Sequence, residues 1–509
     1  VVVLTAGLAF AEMEAQSICD PTCKDGLLFI GDMFYDGPFC EAMFPEQDCP
    51  CEHLNWPLDG AIWGCDFGFL NTGVCQIPAQ QWDLKGLTPH KMVWSESQKI
   101  LFISYLNNHK FLTDEGPSGP PQGPNAAKKP PQGPEPIDMG SPLVSVVDMS
   151  KGEAFQLNPY NFDDIFQKNI KVGALALDDE RHLLYVANLD PADATVTVLN
   201  VADPKFPTKP ICDPAIDLCA ECDCDCNYMN MDMVYFKNRL YVSYFDTNVE
   251  EGIGFGDPMI AVFNADPDSP AYGDQVDCIR VVLDCPCVDA NDSYFLAANL
   301  AVTEVDGQVI VLSTYHPYFV MGDFAALHLL GIWEMEWEDY VDRPLGVITA
   351  TNMSTRETIY ADLNSAAFRE KLIHAGIDMC DFERLNLRAI DVNPCGCGDC
   401  EDQVIYLSAM KYDFGTDWSE RYGCPCLPFD EEFNFEAAIF PTQGYVLALS
   451  LFTGECNVGD EIDFIGYKEL PQKELCWCDE GGTWPWSPGD LVATSWVRET
   501  NLSIGAPVA

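Results

Sequence analysis

Apolar residues in this chain come in short bursts rich in valine, isoleucine, leucine and aromatic side chains, cut by aspartate, asparagine, glycine and proline. Such bursts predict β-strands separated by turns, not helices. The bursts also recur as a unit: an apolar segment, a turn, a second β-rich segment, a variable stretch, and a third strand ending in a turn. One copy runs Gly173 to Asn188 and continues from Ala194 to Pro204. Others run Met231 to Tyr244 with Met259 to Pro267, and Lys91 to Tyr105 with Leu143 to Gly152. The remaining two run Leu300 to Ser313 with Leu327 to Trp333, and Leu387 to Ser408 with Tyr445 to Gly454. Strands are also expected at Asp25–Asp32 and Asp490–Val497, and one helix over Ser365–Ala375.

Units of this kind, about 60 to 90 residues apart, are the expected signature of propeller blades with long loops. Five internal units plus a composite one built from both chain ends predict six blades, with seven as the alternative. Strands from the N- and C-terminal parts would close the ring and leave no free sheet edge. On this reading residues 1–18 are an apolar N-terminal segment and residues 19–509 one all-β propeller. Its Cys-rich N-terminal part spans 19–75, and a Pro/Gly-rich insert spans 116–136, where Pro-Pro-Gln-Gly-Pro occurs twice.

Two segments carry a family resemblance. Leu184-Tyr-Val-Ala-Asn188 resembles the Tyr-Val-Thr-Asn signature of surface-layer-type propellers, and Thr197 to Pro204 is similar to the Leu-Val-Ile-Val-Asp repeat. The resemblance implies a propeller of the secreted, surface-layer-like kind. It transfers no active site, because those repeats are structural.

Cysteine sharpens the setting. Twenty-four cysteines occur, many as Cys-x-Cys: Cys49 and Cys51, Cys222 with Cys224 and Cys226, Cys285 and Cys287, Cys395 and Cys397 followed by Cys400, Cys424 and Cys426, Cys476 and Cys478. Two cysteines one residue apart are poorly placed to bond each other, so each pair is expected to staple two other loops. Disulfides in an oxidising compartment are the expectation, and zinc at the Cys219–Cys226 or Cys395–Cys400 cluster is the alternative. No Cys-x-x-Cys-His is present, so haem is not expected.

Charge excludes some functions. With 80 acidic and 27 basic residues the net charge is −53. Nucleic acid is not an expected partner, and no apolar run is long enough for a membrane-spanning helix. Clustered carboxylates suggest calcium, at Asp266, Asp268 and Asp274 or at Asp190 and Asp193. A solvated acidic surface accounts equally for such turns.

Val1, Val2, Val3, Leu4, Leu8 and Phe10 form an uncharged, β-prone stretch. It reads either as the remains of a secretory signal ending at Ala9-Phe10-Ala11 or as an arm that adds a strand to another copy. Both readings imply export.

Catalytic signals are sparse. Gly-x-Ser-x-Gly and His-Glu-x-x-His are absent, and no catalytic residue is assigned. His109 and His316 could face a central channel. Alternating Met229, Met231 and Met233 suggest either a packed strand face or thioether ligands for copper. Trp484 and Trp486, with Trp477, suggest a packed turn or a stacking surface. Sequons at Asn291, Asn352 and Asn501 carry little information. The expected function is a secreted or cell-surface, non-catalytic propeller, either an assembling subunit that forms filaments with itself or a loop-mediated binding protein. A channel enzyme of lactonase or metal-dependent type, or a metal-handling protein, is the alternative.

Overall fold

A computed structural model describes residues 27–32, 62–66, 88–106, 140–157, 172–188, 194–208, 216–218, 228–246, 259–280, 295–317, 346–379, 383–393, 404–414, 439–453, 457–474, 483–485 and 488–494, apart from Gly152, Asp306 and Pro471. These residues form an all-β propeller with one helix. Twenty of the strands fall into five four-stranded antiparallel blades, the first two linked by a single pairing of Ser141 with Val172. The N-terminal part supplies β1 (Leu27–Asp32) and β2 (Ile62–Asp66). Blade 1 is β3 (Thr88–Ser95), β4 (Ile100–Leu106), β5 (Gly140–Asp148) and β6 (Glu153–Gln156). Blade 2 is β7 (Val172–Asp178), β8 (Leu183–Asn188), β9 (Thr195–Asn200) and β10 (Ile216–Asp217). Blade 3 is β11 (Tyr228–Phe236), β12 (Arg239–Asp246), β13 (Met259–Asn264) and β14 (Gln275–Arg280). Blade 4 is β15 (Phe295–Val305), β16 (Gln308–Pro317), β17 (Val347–Asn352) and β18 (Thr358–Asp362). The helix α1 (Ala366–Ala375) leads into blade 5, made of β19 (Glu383–Val392), β20 (Ile405–Phe414), β21 (Ile439–Thr453) and β22 (Asn457–Glu469).

The expected six blades are therefore corrected to five. The two ends do pair, but they contribute only three strands: β25 (Pro488–Thr494) lies beside β1, and β1 beside β2. The remaining C-terminal strands, β23 (Gln472–Glu474) and β24 (Thr483–Pro485), pair with each other instead of completing that sheet. This three-stranded sheet fills the gap between blades 5 and 1, with β25 against β19 on one side and β3 on the other.

Apolar side chains hold blade to blade. Leu183, Tyr185, Val196 and Val198 pack on Met233, Leu240 and Phe263, joining blades 2 and 3. Leu312 and Ile348 pack on Leu387, Leu407 and Leu447, joining blades 4 and 5. Leu28, Ile30 and Leu491 pack on Tyr406 and Val446, joining the terminal sheet to blade 5. Each such side chain, fully buried, contributes about 1.5–3 kcal/mol. Between the terminal sheet and blade 1 the backbones come close: a Cβ on Gly31 would stand 3.1 Å from the Pro89 Cβ. A side chain there would force the two sheets apart.

Within blades, the turns from first to second strand require left-handed backbone at His182 (φ 54°), Lys237 (φ 48°) and Asn238 (φ 60°). They are held by carboxylates of the kind that favour turns. Asp178 accepts from the Arg181 backbone N–H at 3.2 Å and from its guanidinium at 2.9 Å. The same turns reach the next blade. Asp179 of blade 2 accepts from the Ser97 amide at 2.8 Å, and Arg181 donates to Asn238 of blade 3 at 2.9 Å. Lys237 pairs with Glu304 of blade 4, and Arg356 reaches back to Asp277 of blade 3.

Candidate functional site: the inner strands

The first strand of every blade, and β25, pack against one another around the middle of the molecule. Each of them carries an irregularity in its pairing at a comparable place. The shift falls between Pro89 and Met92 in β3, Val172 and Leu175 in β7, Asn230 and Asp232 in β11, Ala297 and Asn299 in β15, and Leu387 and Ala389 in β19. In the terminal sheet it falls between Ile30 and Asp32, opposite β25. A bulge frees backbone groups from the ladder and re-aims side chains. At these bulges polar residues interrupt apolar strands: Lys91, Asp232, Asn299, Arg388 and Asp490, all buried.

They meet. The Lys91 ammonium lies 3.3 Å from Asp232 and 3.5 Å from Asp490, and donates to the Asn299 side-chain carbonyl. The Asn299 amide donates to the Arg388 carbonyl and, at 3.4 Å, to the Thr314 hydroxyl. The carboxylates then take backbone amides of the next strand in the ring. Asp232 accepts from Leu300 N–H at 2.8 Å and Asp490 from Met92 N–H at 2.6 Å. Asp391 accepts from Ala493 N–H at 2.7 Å and from Val392 N–H at 2.8 Å.

Serines on the second strands complete the lock. Ser104, Ser243, Ser313 and Ser408 are fully buried. Ser408 accepts from Ala389 N–H at 2.9 Å and donates to the Gly489 carbonyl at 2.8 Å. Ser104 does the same in blade 1, accepting from Lys91 N–H at 3.2 Å and donating to the Gly173 carbonyl at 2.9 Å. One hydroxyl thus satisfies the donor that a bulge orphans and ties it to the following blade.

Burial would lower the Lys91 pKa, but Asp232 and Asp490 hold it above its ordinary value. One ammonium shared by two acids leaves each short of a full counter-charge. Burial accordingly outweighs Lys91 at both: Asp232 is raised, and Asp490 is pushed up to about 6. Asp391 is only half-buried, yet loss of water and the nearby Asp490 and Asp232 charges push it up to about 7 against its two amide donors. Beside Lys91, the shielded Nε2 of His90 has no hydrogen-bond partner. Burial and the Lys91 charge lower His90 to about 3, so the imidazole stays neutral near pH 7.

Most of the described residues singled out from sequence lie away from this ring. Asp266, Asp268 and Asp274 sit in the β13–β14 turn. Asp266 caps the amide of Asp268 at 3.2 Å and lies 3.7 Å from the Arg181 guanidinium, while Asp268 and Asp274 are exposed. Among the described residues no three His, Cys, Asp or Glu side chains gather as a metal-binding group. Asp190, Asp193, His109, Trp477 and Trp486 lie outside the described residues, as do Asn291 and Asn501 and the segment 1–18. The Cys-x-Cys pairs, with Cys400, also lie outside. Trp484 falls in β24 opposite Lys473. Asn352 organises the β17–β18 turn, accepting from Ser354 N–H at 2.8 Å. His316 falls on β16 opposite Leu296, a second strand and not one of the inner ring. The methionine alternation is broken by the bulge at Met231: Met233 is buried in the blade 2–blade 3 core, while Asp232 joins Lys91. Apart from the β11 methionines, no residue of the inner ring was singled out for chemistry by sequence. The available signal was a charged residue inside an apolar first strand, as in His90-Lys-Met92 and Met231-Asp-Met233.

No protein-family model matches the chain, and no curated protein matches it. Solved structures do. A propeller in a nidogen/laminin complex matches at 9% identity and TM-score 0.34, covering 76% of this chain and 89% of that one. TolB from Acinetobacter baumannii matches at 8% and 0.34, covering 91% of this chain and 66% of that one. The periplasmic gluconolactonase PpgL of Pseudomonas aeruginosa matches at 10% and 0.38, covering 92% of this chain and 99% of that one. At this level of likeness the propeller rests on its own strand order. The Tyr-Val-Thr-Asn-like and Leu-Val-Ile-Val-Asp-like segments fall on β8 and β9 of blade 2. No helix among the described residues is long and apolar enough to cross a membrane.

Proposed function

We propose that this chain is a non-catalytic propeller, a rigid exported scaffold that presents the long segments between its strands to a partner. One observation carries the reading. Lys91, Asp232, Asp490 and Asp391 of the inner ring are spent on one another and on backbone amides, which is what interlocking strands need. A reaction centre instead leaves an acid, a base or a nucleophile turned toward a space a substrate can enter. Here Lys91 is shared by three acceptors, and its carboxylate partners are occupied by amides.

The acidic surface favours export and solubility rather than a polyanionic partner, and the 24 cysteines suit an oxidising compartment. The chain segments 107–139, 318–346 and 415–438 join second to third strands in blades 1, 4 and 5, and on this reading they carry the recognition residues. Such connecting segments on a rigid framework are where binding residues concentrate.

The test is turnover. The purified chain, offered lactones, carboxylic esters and phosphoesters with and without divalent metal, is expected to give the buffer rate. Hydrolysis above that rate, abolished in Lys91→Met or Asp391→Asn variants that still fold, would establish the channel enzyme instead.

A further inference from the structure

The seam of the ring carries a feature that scaffolding alone does not require. β25 is laddered to β1 but to neither of the flanking inner strands, β19 and β3. Polar links from it to the flanking blades include Asp490 to Met92 N–H, Ala493 N–H to Asp391, the Gly489 carbonyl to Ser408, and Asp490 to Lys91. Three of these four run through a carboxyl group. Leu491 and Ala493 of β25 also pack with Ala389, Tyr406 and Val446 of blade 5, so these carboxyl links act beside an apolar contact. Blades 2 and 3 are joined by the apolar cluster around Phe263 and Leu240 and by the Arg181 turn.

We propose that the β25 seam is a pH-sensitive closure, tight while one proton is held among Asp391, Asp490 and Asp232 and loosened once that proton is lost. The charge around Asp391 can be followed strand by strand. From β25 it faces Asp490, and from β11 Asp232. From β3 come Lys91, already shared between those two acids, and neutral His90. Its own strand carries Arg388, whose carbonyl takes the Asn299 amide. Tyr406 of β20 lies opposite it in register, and burial raises that phenol so that it stays neutral. Asp32 ends β1 opposite Pro488. Asp232 and Asp490 therefore share the charge of Lys91, Asp391 adds a third carboxyl beside them, and the closed seam favours a proton that the opened seam, exposed to water, does not.

The sign follows from linkage. The closed-state value of Asp391 lies above that of a solvated carboxyl. Closure is therefore fully favoured below the solvated value and is lost as pH rises through the closed-state value. A single proton changes the opening constant by up to about tenfold per pH unit between about pH 5 and 7, and by nothing above.

This inference rests on reading the inner ring as architecture, but its test is separate from turnover. Hydrogen exchange of the full chain is followed by mass spectrometry from pH 5 to 8, each rate corrected for intrinsic exchange. Peptides covering 488–494 are compared with blade 3 peptides covering 239–246 and 259–264. The expected result is that β25 loses protection relative to blade 3 as pH rises to about 7, by several-fold per unit, then levels off. Asp391→Asn is expected to flatten that dependence. A β25-to-blade 3 ratio constant across the range would overturn the proposal without any variant. So would a folded Asp391→Asn protein that keeps the wild-type slope.

Discussion

At the scale of single residues, what sets this molecule apart is that its buried polar side chains act between strands. Ser408 is the simplest case. Its hydroxyl accepts from Ala389 and donates to Gly489, so it serves two backbone groups on two different strands. Ser408→Ala leaves both without that partner inside the protein. A buried group left unsatisfied costs about 1–3 kcal/mol, so the variant is expected to lose about 2–4 kcal/mol in chemical denaturation. Of the ring as a whole, little was legible from sequence. Serine between two apolar residues in Val242-Ser-Tyr244 or Leu407-Ser-Ala409 has the form of any β-strand. Only the bulge opposite it, which is a property of the pairing, gives it a task. For Asp232 the signal was present but was overshadowed by the methionines on either side.

At the scale of elements, hydrophobic patterning succeeded where one element makes its own case. The helix expected at Ser365–Ala375 forms at Ala366–Ala375. The Ser365 side chain accepts from Phe368 N–H, and Gly376 closes the end at φ 104°. Phe368 and Leu372 bury the inner face, with Phe368 edge-on to Phe464 of β22. Gly376→Ala would place a Cβ 3.3 Å from the Tyr467 hydroxyl in a left-handed conformation. The expected cost is about 1–2 kcal/mol, with faster exchange in α1 and no change in blade 1. Strand positions in four of the internal units were readable for the same reason: valine, isoleucine and tyrosine between turn residues admit few other structures. In the unit beginning at Leu300 the segment Leu327 to Trp333 lies outside the described residues, and the third strand of blade 4 is β17. The methionine alternation is interrupted by a register shift between Asn230 and Asp232, yet Met233 packs in the core as the strand-face reading expects.

At the scale of the whole molecule, blade number failed because it depends on how the ends pair. Apolar strands at both ends were visible, but nothing in the sequence of Gln472–Glu474 or Thr483–Pro485 says they choose each other over the terminal sheet. The central claim also belongs to this scale: the inner ring exists to hold the blades together, not to carry out a reaction. Lys91 is where the claim is most exposed, because it links β3, β11, β15 and β25 at once. Removing one member of a buried charge cluster strands the rest, at a cost of about 3–5 kcal/mol. A residue kept for catalysis can often be replaced with little loss of stability, or with a gain. The decisive measurement is the unfolding free energy of Lys91→Met against the parent protein at pH 7, by denaturant titration with unchanged slope. A loss of about 3–5 kcal/mol is the outcome the account predicts. A variant as stable as the parent, or more stable, would contradict it.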